Sequence, residues 1–144
     1  MNGDKCFVDT NILVYAHDQD AGQKCLRAQA VLDELWQSRR GVLSTQVLQE
    51  FAAYLVRHVP RPLKPIEART IIADFLGWEI FINTPGTLLQ ALDTKERFNI
   101  SIWDAMIVQA AENSGASTLY SEDLAHGQRY GRVQLINPFR DQKN

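Results

Sequence analysis

Cys6-Phe7-Val8-Asp9-Thr10-Asn11 is the stretch on which the fold of this chain turns. An unbroken apolar run is how a strand reads when both faces of its sheet are covered, the condition of a parallel sheet. The run ends on an acid, and functional sites of open α/β sheets lie beyond the carboxyl ends of the strands. Asp9 is therefore placed at such a site by position. It would also be at home as a mere N-cap of the turn that follows, but its place at a strand end favours a metal-site reading.

Outward from this strand, the remaining elements alternate. Residues 11–17 read as a short helix or turn. Over 22–39, Cys25, Leu32, Leu35 and Trp36 recur at helical spacing, and Gly41 is expected to end that helix as a left-handed cap. Residues 42–44 read as a second strand. Residues 45–59 read as a helix with Val47, Leu48, Phe51 and Leu55 inward. The prolines at 60, 62 and 65 mark a loop, followed by a helix over 66–76 that Gly77 closes. Further strands are expected at 79–82, 118–120 and 133–136. Helices are expected at 85–98, with proline in the first turn, and from the capping pair Ser101 and Asp104 to 114, where Gly115 stops it. Strand and helix in alternation predict an α/β sandwich around a mainly parallel sheet.

The totals fit one domain spanning 1–144, with 45% hydrophobic and 22% charged residues. No apolar run approaches the ~18 residues of a membrane span. The first residues lack the pattern of a signal peptide, so a cytoplasmic protein with no membrane association is expected. Cys6 and Cys25 lack metal-site spacing and read as buried free thiols. A net charge of −2 gives no overall attraction to a polyanion. Arg57, His58, Arg61, Lys64 and Arg69 form one basic stretch, which is either a solvated helix end and loop or a local nucleic-acid contact.

Three further acids share the placement of Asp9 near strand ends or helix starts: Glu50, Asp104 and Asp123. Each has a structural alternative. Glu50 sits at the margin of its helix's apolar stripe, where charges often reach to water. Asp104, beside Trp103, Met106, Ile107 and Ala110, could serve Ser101 as a cap partner. Asp123 and its neighbour Glu122 diverge, so only one enters a shared site; Asp123 is preferred, with Glu122 as the substitute. Ser121, Thr10 and Asn11 offer hydrogen bonds to orient an acid or simply to hold turns. If the four carboxylates converge, each pair at about 4 Å repels by roughly 4 kcal/mol at an effective dielectric near 20. Such a cluster must protonate or gather a divalent cation, the all-oxygen site of a phosphodiester-cleaving enzyme.

Taken together, Val8-Asp9-Thr10-Asn11, Glu50 in a helix after strand two, Trp103-Asp104-Ala105 opening a helix, and Ser121-Glu122-Asp123-Leu124 resemble the PIN-domain pattern in order and spacing. Residues 121–128, with Ile136-Asn137-Pro138-Phe139, are similar to VapC toxins of type II toxin–antitoxin systems. The resemblance covers essentially the whole chain. It implies a three-layer α/β/α sandwich and an endoribonuclease using one or two Mg²⁺ or Mn²⁺ ions. Asp9, Glu50, Asp104 and Asp123 would be the metal-binding catalytic set, acting through metal-activated water. It also implies a VapB-like antitoxin partner and a homodimer. Many relatives carry another acid shortly after the last; this chain has Leu124-Ala125-His126.

In that scheme Thr10, Asn11 and Ser121 orient the acids, and Arg57, Arg61 and Lys64 supply phosphate contacts to RNA. His17, His58 and His126 read as surface or turn residues. Asp18 and Asp20 read as caps of the long second helix, and Trp36, Trp78 and Trp103 as core. There is no glycine-rich phosphate loop. Two rival classes remain open: a phosphohydrolase or phosphoacceptor using Asp9 as nucleophile, although Asn11 stands where a second Asp is common, and a non-catalytic interaction domain.

Overall fold

The computed structural model describes residues 4–57 and 61–140. Strands β1 (Cys6–Val8), β2 (Gly41–Ser44), β3 (Glu79–Phe81), β4 (Thr118–Tyr120), β5 (Arg129–Tyr130) and β6 (Val133–Ile136) form a six-stranded sheet in the order β3-β2-β1-β4-β6-β5. Every pairing is parallel except β5 with β6. The helices are α1 (Thr10–Ala16), α2 (Gln23–Ser38), α3 (Thr45–Arg57), α4 (Pro65–Phe75), α5 (Pro85–Phe98) and α6 (Ile102–Asn113).

Chain order and strand order together dictate the layers. From β1 through β2 to β3 the chain moves one way across the sheet, and from β3 to β4 it returns past β1. Right-handed crossovers then put α1 to α4 on one face and α5 and α6 on the other. The reversal leaves a switch point between β1 and β4, the crevice where open α/β sheets bind ligands. The mainly parallel sheet expected from alternation, and the three layers that the family resemblance implies, are thus found. Phe7, Val8, Leu43, Leu119 and Leu135 are fully enclosed, as strands covered on both faces must be.

Local chemistry accounts for most boundaries. Thr84 accepts the Thr87 N–H at 3.2 Å ahead of Pro85, so α5 starts where expected. Lys64 N–H donates to Glu67 Oε1 at 2.8 Å, which opens α4 at Pro65 and takes that proline out of the loop. Cys6 and Cys25 are buried free thiols. Among the described residues no helix is long and apolar enough to cross a membrane.

Several expectations are corrected. The left-handed residue after α2 is Arg39, at φ 60°, not Gly41. Gly41 begins β2, where an added Cβ would lie 2.4 Å from the Trp78 ring; its role is close packing. Asp18 caps a 3-10 turn over Gln19–Ala21, accepting the Asp20 N–H at 3.0 Å, and α2 follows its N-cap Gly22 with no side-chain cap bond. The antiparallel strand β5 was not foreseen, because two residues are too few to show a period. The helix tail expected at 58 and 59, with His58, lies outside the described residues. Trp78 is core, and Trp36 packs edge-on to it at 5.5 Å while remaining partly exposed. Trp103 is not core: 66% of it is exposed.

Candidate functional site

Asp9 follows β1 and is the N-cap of α1, so its backbone is fixed by the sheet on one side and the helix on the other. Its N–H donates to Tyr120 O at 3.0 Å, which ties it to the end of β4. The carboxylate is buried, with 4% exposure, and two donors hold it: Thr10 N–H to Oδ1 at 2.7 Å and Ser121 Oγ–H to Oδ2 at 2.7 Å. Burial pushes its pKa up to about 7; the bonds from Ser121 and Thr10 oppose this, and the charges of Asp123 and Glu50 add to it.

The other three acids come to the same place from different elements. Asp9, Glu50, Asp104 and Asp123 all line one cleft of about 410 Å³, with Thr10, Asn11, Gln46 and an apolar side that includes Val14, Trp103 and Ile107. Glu50, from the second turn of α3, accepts Thr10 Oγ1 at 2.6 Å and Gln46 Nε2 at 3.1 Å. Thr10 therefore bridges Asp9 and Glu50. Asp123 accepts Asn11 Nδ2 at 3.0 Å, and its N–H donates to Ser121 Oγ at 3.1 Å. Asn11 reaches across to the loop after β4 and does more than hold its own turn.

Asp104 stands in the first turn of α6, where its N–H donates to Ser101 Oγ at 3.0 Å. Burial raises its carboxyl above the usual range, the charges of Asp123 and Glu50 raise it further, and Ser101 partly restrains the shift. Ser101 thus caps the turn through the Asp104 N–H, and Asp104 still lines the cleft.

Glu122 is committed elsewhere. It forms an ion pair with Lys24 and accepts Tyr15 Oη at 2.7 Å. Burial pushes its pKa up, but the bonds from Lys24 and Tyr15 outweigh that and leave it below the ordinary value. The substitute role considered for Glu122 is thus not its place in the fold. The basic side chains Arg57, Arg61 and Lys64 do not line the acid cleft, and no Lys, Arg or His does among the described residues. Arg61 lines a separate cavity beside Asp18 and Asp20.

The donor set suits a hard cation. The cleft offers carboxylate, hydroxyl and amide oxygens and neither thiol nor imidazole. Among the described residues no three His, Cys, Asp or Glu close into a ready-made cage. Glu50 and Asp123 are exposed, so their carboxylates are open to solvent as well as to the side chains that orient them.

Gln46 was not foreseen. It is only 8% exposed, lines the cleft, and donates Nε2 to Glu50 Oε2 and to Trp103 O, the latter at 3.4 Å. The available signal was its place four residues before Glu50, on the same helix face.

A family model described as PIN domain matches residues 6–130. Comparison with curated proteins finds no match. Among solved structures, the chain resembles VapC20 of Mycobacterium tuberculosis, a sarcin–ricin loop cleaving toxin, with a TM-score of 0.62 and 20% identity over 83% of this chain and 90% of that one. A toxin–antitoxin complex from Klebsiella pneumoniae gives a TM-score of 0.67 at 18% identity, covering 93% and 98%. VapBC2 of Rickettsia felis, bound to a DNA fragment from its promoter, gives 0.65 at 18%, covering 92% and 97%. At such identities these likenesses establish the shared fold.

Proposed function

The chain belongs to the PIN-domain family, and from that premise we propose that it is a divalent-metal-dependent endoribonuclease, a single PIN-like domain acting as the toxin of a toxin–antitoxin pair. One observation carries the chemistry: four carboxylates remote in sequence line a single cleft that has no basic side chain among the described residues. Asp9 within it is pushed up to about 7. A site built this way repels a polyanion unless a cation is present.

Asp9, Glu50, Asp104 and Asp123 would hold one or two Mg²⁺ or Mn²⁺ ions. Bound there, the metal would neutralise the acids, polarise a phosphodiester and acidify a water for attack at phosphorus. The protein's own part is orientation. Thr10 and Ser121 grip both oxygens of Asp9, Thr10 and Gln46 grip Glu50, and Asn11 aims Asp123. Arg57, Arg61 and Lys64, away from the cleft, would touch RNA backbone flanking the cut.

The partner part of the proposal is a VapB-like antitoxin and a toxin homodimer in the cytoplasm; the fold shared with toxin–antitoxin complexes supports the antitoxin. The test is product-end mapping of total RNA with and without Mg²⁺. Cleavage that chelation abolishes, Mn²⁺ restores and Asp9→Asn or Asp104→Asn removes is the expected result. Full activity in both variants, or a phosphoenzyme on Asp9, would overturn it.

A further inference from the structure

Resting on the nuclease reading of this cleft, we propose that Trp103 is a stacking platform for a nucleobase of the RNA beside the scissile phosphate. The indole is 66% exposed and lines the cleft directly beside Asp104. An indole presents a large apolar π-face, and its exposure at the cleft leaves that face open to a ligand. The other two tryptophans are accounted for by the fold. Trp36 and Trp78 pack on each other and on Phe75. Among the described residues Trp103 has no aromatic neighbour.

The platform is anchored at its root. Gln46 Nε2 bonds both the Glu50 carboxylate and the Trp103 carbonyl, which joins the indole's backbone to one of the acids. Ser101 Oγ caps the same helical turn through the Asp104 N–H. Gln46 Oε1 is buried and meets no hydrogen-bond donor among the described protein atoms.

Charge explains why stacking is needed. The cleft's charged side chains are carboxylates, and the basic stretch does not line it. Beyond the metal itself, the cleft's own side chains can add substrate affinity only through uncharged contacts. A π-face serves any base, whatever its sequence. Val14 and Ile107 extend the same apolar side.

The test uses the full chain with Ca²⁺ in place of Mg²⁺, to bind the oxygen ligands without supporting turnover, and two octamers of equal charge, each checked to be intact after titration: a random-sequence 2′-O-methyl RNA pool and an abasic strand. The RNA pool should quench tryptophan fluorescence and the abasic strand should not. Trp103→Ala should weaken binding of the RNA pool by about 5- to 100-fold, with little effect on the abasic strand. Trp103→Phe should retain most of the affinity while losing the quench, and Trp103→Leu should behave like Ala, which separates a π-face from mere apolar bulk. Unchanged RNA affinity in Trp103→Ala, an equal loss for both octamers, or a change of oligomeric state without a change in RNA affinity would each overturn the proposal. The binding readout involves no turnover. Quenching without metal-dependent cleavage sinks the nuclease reading and leaves the platform standing. Cleavage by Trp103→Ala at wild-type KM does the reverse.

Discussion

The Ser121 hydroxyl donates to Asp9 Oδ2 at 2.7 Å and accepts the Asp123 N–H at 3.1 Å, although 112 residues separate Ser121 from Asp9. One oxygen thus sets the orientation of two acids at the ends of adjacent parallel strands. Because Ser121 is fully buried, water cannot replace either bond.

Ser121→Ala should therefore damage the site and the fold together. It leaves a buried carboxylate short of one donor, at a cost of about 1–3 kcal/mol. Loss of an orienting partner typically lowers activity about 10- to 100-fold. Since the Ser121 bond holds the Asp9 pKa down, the variant should titrate Asp9 at higher pH. Carboxyl carbon shifts followed by NMR would check this; an unchanged titration contradicts the linkage.

Metal-free protein should lose stability as pH rises from about 4 to 7. The folded pKa of Asp9, about 7, lies above its unfolded value, so the folded state binds the extra proton. The contribution is present in full below the unfolded pKa and is gone above about pH 7. Its size is on the order of 4 kcal/mol. Thermal melts in chelator should show the decline and Asp9→Asn should flatten it. At pH 8, Mg²⁺ at 100 times its Kd should restore about 2.7 kcal/mol to the wild type. A flat wild-type profile refutes the assignment.

Asp123 and Glu122 should part company under substitution. Asp123→Asn removes a carboxylate from the cleft and should cost about 10-fold or more in cleavage rate. Glu122→Gln alters a pair with Lys24 and Tyr15 outside it and should stay within about 3-fold, since partly exposed ion pairs are worth little. Single-turnover rates at saturating Mg²⁺ decide. Equal losses would place Glu122 in the chemistry.

Gly41→Ala should destabilise without touching catalysis. Its Cβ would fall 2.4 and 2.5 Å from two Trp78 ring carbons, and that ring is packed against Trp36 and Phe75. Overpacking of this kind costs about 1–3 kcal/mol. Gly41 opens β2, and the cleft lies beyond the strands' other ends, so activity below the melting temperature should match wild type. A Tm within a degree of wild type would show that the indole gives way.

The strand cores and most helix limits were legible because they depend on local pattern. Cys6-Phe7-Val8 and Leu119 read as enclosed strands, and Pro85 and Ser101 mark helix starts through chemistry within one turn. The four acids were legible as candidates, in order and spacing. Spacing along the chain also misled where packing takes over: Trp103 sits among apolar neighbours at helical intervals and yet faces outward, and Gly41 resembles a cap but serves as a packing gap.

What the chain's order of residues determined by itself was the alternation of elements and which carboxylates stand at their ends, because periodicity, capping and proline act over a few residues. Only the tertiary structure decided that Asn11 answers Asp123, that Lys24 takes Glu122 out of the cleft, and that Gln46 joins Glu50 to Trp103. Those relations depend on strand order, with β4 placed beside β1 by a crossover that no local pattern encodes. Electrostatics and hydrogen bonds act through space, so the site's chemistry appears only once the sheet is assembled.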